Sequence, residues 1–196
     1  MFLHKQRRGR GFTLIEMIVA IVIIGVAVAG IMLALGTATR NSADPVVQEQ
    51  ALAIAKSLLE EVESMPFTYC DPDDPNVTTA ASAADCTGGA GGPNDESKLP
   101  LGSQASGAGE TRYSTTTPFD NVSDYNGFSM ISGIRDINNT AITGLEAYSA
   151  SITVATTTLG SIPAGDALQI TVTVTGPAGV TVTLDGYRAR YAPDTP

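Results

Sequence analysis

Along the first fifth of the chain the apolar positions are continuous rather than periodic. From Met17 to Leu35 every residue is apolar or glycine. A segment that is hydrophobic all round must be buried in protein or in lipid. Counted from Phe12, the stretch to Leu35 has 24 residues, about 36 Å as an α-helix against a hydrocarbon core of about 30 Å. It is long enough to span a membrane. Asn41-Ser42-Ala43-Asp44-Pro45 then reads as a break or a restart, with Asp44 as a cap and Pro45 at a first helical position. Beyond it Val47, Ala51, Ile54, Leu58, Val62 and Met65 recur at spacings of three and four. The period predicts an amphipathic helix with Glu49, Lys56, Glu60 and Glu63 on its wet side, ended by Pro66.

The next forty residues or so lose both periods. Asp71-Pro72-Asp73-Asp74-Pro75 and Gly88-Gly89-Ala90-Gly91-Gly92-Pro93 are turn formers, and the expectation for 67–110 is a flexible loop with too little apolar surface to order itself. After Ser129 the pattern changes to period two. Ala150, Ile152 and Val154, then Ile170, Val172 and Val174, then Val180, Val182 and Leu184 alternate largely with threonine and serine. Alternation of this kind describes an antiparallel sheet with one dry face, and Gly176-Pro177-Ala178-Gly179 is the turn between its last two strands. Such a face needs a cover, and the stripe from Val46 to Met65 is the one that fits. The predicted fold is α+β, a long N-terminal hydrophobic α-helix packed on a C-terminal antiparallel β-sheet. Its divisions are a leader at 1–11, a spanning helix at 12–35, an amphipathic continuation at 36–66, a disulfide-pinned flexible loop at 67–110 and a β domain at 111–196.

Charge sharpens this division. Four of the eleven basic residues, Lys5, Arg7, Arg8 and Arg10, lie in the first ten positions, and no acidic residue precedes Glu16. A basic flank before the span places the N-terminus in the cytoplasm. Removal of that flank leaves seven basic residues against 20 acidic ones, a formal charge of −13. A surface that acidic repels phosphate backbones and argues against nucleic acid as a partner. An ordinary secretory signal is the competing reading of the N-terminus, but Glu16 has no use in one. His4, in the leader, is the only histidine, so no Ser-His-Asp or Cys-His set forms beyond it and the expected role is not enzymatic. The same scarcity leaves zinc without ligands. Cys70 and Cys86 are the only cysteines. In an oxidising compartment they read as a disulfide, worth roughly 3 kcal/mol in the chain-entropy model.

Gly11-Phe12-Thr13-Leu14-Ile15-Glu16, followed by the apolar run, resembles the processing motif of type IV prepilins and type II secretion pseudopilins. The resemblance covers the first 65 residues strongly and the rest by layout. It implies cleavage after Gly11 by a prepilin peptidase, methylation of the new Phe12 amine, and a role for Glu16 in filament assembly by pairing with an N-terminal amine. Implied partners are other pilins through their N-terminal helices and an inner-membrane assembly platform. The implied location is the bacterial inner membrane with the C-terminus periplasmic, then an extracellular pilus. Within this group Leu58-Leu59-Glu60-Glu61-Val62, Met65-Pro66-Phe67, Cys70-Asp71-Pro72-Asp73-Asp74 and Phe119-Asp120-Asn121-Val122-Ser123-Asp124-Tyr125-Asn126-Gly127 are similar to minor pilins of the mannose-sensitive haemagglutinin (MSHA) type, the D pilin group. A secretion pseudopilin and a tip adhesin are the alternatives. No cofactor is expected. Asp71, Asp73 and Asp74, or Asp120, Asp124 and Asn126, are weak calcium candidates, since neither run has the EF-hand spacing.

Overall fold

The computed structural model describes residues 13–103 and 109–190, without the side chains of 36–44. The leader, Gly11 and Phe12 lie outside the described residues. Two compact units are present, 1–45 and 46–196. Helix α1 (Leu14–Glu63) contributes to both. Its assignment continues through Pro45, where the sequence suggested a break.

In the first unit Leu14–Leu35 has a mean hydropathy of 3.1 and is long and apolar enough to cross a membrane. None of its window is buried within the protein. Ile15, Ile21, Ile24 and Leu33 are among its exposed side chains. Such a surface calls for an apolar surrounding outside the chain.

The second unit is a helix laid over a sheet. From Val46 onward α1 buries Ala51, Ile54, Ala55, Leu58 and Val62, the positions that spacings of three and four place on one face. Beneath them lies a four-stranded antiparallel sheet ordered β1 (Ser129–Met130), β2 (Ser149–Thr156), β3 (Ala167–Thr175), β4 (Thr181–Ala189). Its register sets Ile152 opposite Val172 and Val172 opposite Leu184, so one face carries Ala150, Ile152, Val154, Ile170, Val172 and Val174 into the same core as the helix. The other face bears threonines that meet across β3 and β4: Thr171 donates to Asp185 at 2.5 Å and Thr173 lies 3.3 Å from Thr183. Close approach of helix and sheet is made at Gly186 of β4, where a Cβ would come within 2.8 Å of Leu59 Cδ1.

Between helix and sheet the chain is more ordered than its composition suggested. Asp74 accepts from Asn76 N, Thr87 N, Thr87 Oγ1 and Asn94 Nδ2 at 2.7–3.1 Å. Asp95 accepts from Gly91 N, Ser97 N and Ser97 Oγ at 2.5–2.9 Å. Cys70 and Cys86 form a disulfide and, with Val77 and Ala80, a small second core. Residues 67–103 keep the irregular course expected of a loop, with these contacts holding it. Hydrogen bonds to buried carboxylates and one cross-link replace the apolar burial that the composition lacks. At Gly92 a Cβ would lie 2.7 Å from the Gly89 carbonyl oxygen, so the turn closes on backbone and admits only glycine there.

Candidate functional site

At the start of α1, Thr13 and Glu16 form the Thr-x-x-Glu arrangement of a capping box. Glu16 N donates to Thr13 Oγ1 at 3.4 Å, and Thr13 N makes a long contact of 3.5 Å with Glu16 Oε2. The carboxylate also lies in the first turn, where it complements the helix dipole. Glu16 is exposed. Its position therefore leaves the group at the mouth of the apolar segment, accessible to a charge from outside the described chain.

Farther along α1, Glu61 anchors the connecting segments to the helix. Arg112 donates from Nε to Glu61 Oε1 and from Nη2 to Oε2, both at 2.7 Å, and Tyr125 Oη donates to Oε1 at 2.9 Å. A paired, two-pronged contact of this kind fixes orientation as well as charge. The guanidinium also lies 5.4 Å and 5.7 Å from the ring centroids of Tyr113 and Phe128, within cation–π range. Sequence reasoning missed Glu61 and Arg112. The available signal was positional: Glu61 sits three residues after Leu58 and four before Met65, on the apolar stripe, where a carboxylate requires a partner.

A group of carboxyl groups gathers where 67–71 and 110–124 meet. One potential ligand oxygen from each of Asp71, Glu110 and Asp120 lies within 4.8 Å of the others. Asp124 joins them from a 3-10 turn at Val122–Tyr125, its Oδ2 accepting from Asn121 N at 2.7 Å and Asp120 N at 3.1 Å. That turn is held to the earlier segment by Asn121 Nδ2 donating to Thr68 Oγ1 at 2.8 Å, and by Ser123 Oγ donating to Glu96. Burial is the main cause that raises these groups, with their mutual repulsion added to it. Glu110 is pushed up to about 8, Asp120 to about 7 and Asp124 to about 6. Asp71 and Glu96 are also raised, Glu96 well above the ordinary range, chiefly by desolvation. The structure draws Asp71 from the first acidic run seen in the sequence and Asp120 and Asp124 from the second, adds Glu110, and leaves Asp73 and Asp74 out. Asp73 is exposed, while Asp74 is saturated by its four donors and its pKa is lowered by those hydrogen bonds against the effect of burial.

A family model described as "Prokaryotic N-terminal methylation motif" matches residues 6–32. The chain carries that motif. It thereby shares the processing signature of type IV prepilin-like and pseudopilin-like proteins, whose layout of an apolar N-terminal helix and a helix packed on an antiparallel sheet it also has. Comparison with curated proteins and with solved structures yields no match. The matched stretch begins at Gln6, takes in Gly11 and Phe12, which lie outside the described residues, and runs through Thr13 and Glu16 into the exposed apolar helix.

Proposed function

We propose that this chain is a minor pilin of a type IV pilus, structural rather than catalytic. The carrying observation is the methylation motif at 6–32 continuing into a helix whose apolar window is wholly unburied within the chain. A prepilin peptidase cuts after Gly11, and Phe12 becomes the methylated first residue. The subunit waits in the inner membrane with its C-terminal unit in the periplasm. The exposed apolar helix then passes from lipid to the helices of neighbouring pilins on the assembly platform, and both surroundings satisfy it for the same reason. Glu16 pairs with the Phe12 amine of the same or an adjoining chain. Its exposure at the start of α1 supports this reading, and so does the cost of an ionisable group at the edge of a membrane span. The stretches Leu58–Val62, Met65–Phe67, Cys70–Asp74 and Phe119–Gly127 support assignment to the MSHA type, with roles in pilus biogenesis, adhesion or motility.

Mass spectrometry of pili sheared from the native cells tests the proposal. The expected result is an N-terminal peptide beginning at methylated Phe12, present at a small fraction of the major pilin. The same peptide confined to the membrane fraction would point instead to a secretion pseudopilin. An uncut leader, or a mature start beyond Leu35, would refute processing by this route.

A further inference from the structure

Arg190 lies just past the end of β4, where its backbone amide donates to the Asp166 carbonyl oxygen at 2.8 Å. Its side chain is 2% exposed, and the guanidinium lies over the rings of Phe67 and Tyr69, 4.1 Å and 4.0 Å from their centroids. Ring faces attract the positive charge, but the N–H donors of a guanidinium lie in its own plane and need acceptor atoms there. Among the described residues Nε and Nη1 are buried and have no such partner. Asp166 Oδ1 stands 3.8 Å from Nε, an ion pair but beyond hydrogen-bond reach. Buried donors without an acceptor forfeit their hydration for no return. The same side chain forms part of the wall of a cleft of about 330 Å³. Phe67, Glu96, Leu101 and Leu168 line it as buried residues, and Leu99, also lining it, is 68% exposed. An apolar cleft with a few polar groups is the usual form of a ligand site, and this volume is at the small end of the range.

We propose that Arg190 and this cleft bind a short, uncharged apolar peptide segment of a partner protein. A backbone carbonyl oxygen of that segment takes the guanidinium donors, and an aliphatic side chain lies against Leu99, Leu101 and Leu168. The unpaired donors call for an acceptor, and charge decides its kind. Burial lowers the Arg190 pKa, while Tyr69, Asp166, Asp95 and Glu96 oppose that shift, so acidic groups already face the guanidinium. Asp95 and Glu96 take hydrogen bonds from Gly91, Ser97 and Ser123, and they surround the cation without pairing with its Nε or Nη1. A carboxylate entering the cleft meets their repulsion. A carbonyl oxygen accepts the same N–H groups and adds no charge. The apolar part of the fit comes from Leu99, whose exposed surface lines the same cleft as buried Leu101 and Leu168 and is removed from water when an aliphatic group covers it. The guanidinium is also held in advance, by its rings and by the backbone bond to Asp166, so little ordering is required when the segment arrives. A partner seated here touches the end of β4 and the segment after α1 at once.

The test follows methyl and arginine Nε–H signals by NMR in the full-length chain in detergent micelles, titrated with N-acetyl-leucine N-methylamide. A second titration with N-acetyl-leucine, which has the same body and a free carboxylate, measures the effect of charge. The neutral probe is expected to shift Arg190 Nε–H and the methyls of Leu99, Leu101 and Leu168 together, saturating with a millimolar Kd, as so small a probe allows. The acid should bind at least about 5-fold more weakly. Arg190→Lys keeps a cation beside the rings but lacks the guanidinium donors, and should weaken the neutral probe about 10-fold. If that variant loses the methyl spectrum of Ile170, Val172 and Val174, Leu99→Ser, at an exposed position, decides instead through a loss of about 3-fold or more. No saturable shift in the wild type would overturn the site and assign the donors to water. Equal or tighter binding of the acid would overturn the choice of an uncharged segment. Shifts that persist unchanged in a folded variant place the probe in the micelle or elsewhere on the chain, and refute the site.

Discussion

At the residue scale, the Glu61–Arg112–Tyr125 contact shows why position on a helix matters more than residue type. Glu60 and Glu61 are neighbours in sequence, yet Glu60 pairs with Lys56 in an exposed i,i+4 contact of 3.6 Å, worth only a few tenths of a kcal/mol. One step on, Glu61 turns inward and meets Arg112, whose side chain is 5% exposed. Truncating Arg112→Ala leaves Glu61 with the Tyr125 hydroxyl alone and exposes two backbone carbonyls, those of Arg135 and Asp136, that the guanidinium also serves. The expected loss is about 2–3 kcal/mol, read as a lower urea midpoint with an unchanged slope. Lys56→Ala should move the same midpoint by less than about 0.5 kcal/mol.

Among elements, the helix and sheet were legible from periodicity because each is one-sided. Threonines on the outer face of β3 and β4 and valines on the inner face leave one register that buries the apolar set. The contacts within 67–103 were not legible for a related reason. Its order comes from polar atoms: Asp74 and Asp95 gather amides from positions up to 20 residues away in sequence, and composition carries no record of that. The disulfide belongs to this element. Replacing Cys70 and Cys86 with alanine together should cost about 2–4 kcal/mol. The loss should be local in character, with faster hydrogen exchange at Thr87 and Gly91, whose amides serve Asp74 and Asp95, while β3 stays protected. Uniform acceleration across β3 would show instead that this segment and the sheet unfold together.

For the whole molecule, the acidic balance has a consequence that depends on pH. Glu110, Asp120 and Asp124 bind protons more tightly in the folded chain than in the unfolded one, since burial and the neighbouring Asp71, Asp73 and Glu96 oppose their charge. A raised carboxyl pKa contributes stability that is present below the unfolded value and is lost as pH rises through the folded value. The folded state should therefore weaken as pH climbs from about 4.5 to about 8, the value reached by Glu110. Asp74 has a lowered pKa and acts in the opposite direction, below that window. Chemical denaturation at a series of pH values checks the slope, and a flat profile across the window would contradict the burial assigned to the cluster. The same balance favours solubility of the exposed polar parts of a chain that also carries the apolar run from Met17 to Leu35.

What the sequence determined by itself was whatever repeats over a few residues. An uninterrupted apolar run, a stripe at three and four, and alternation at two each imply an element and a face, because backbone geometry ties neighbours in the chain to neighbours in space. The processing motif is of this local kind too, since a peptidase and a methyltransferase read a short stretch of chain. Tertiary structure alone decided which acids meet. Asp71 and Asp120 stand in separate acidic runs that looked equivalent as ion ligands, and Glu110 stood in neither. Only the path of the chain between helix and sheet brings these three together and sends Asp74 to its own amides. The physical reason is that a charge finds its partners through space, over distances in sequence that no local pattern encodes.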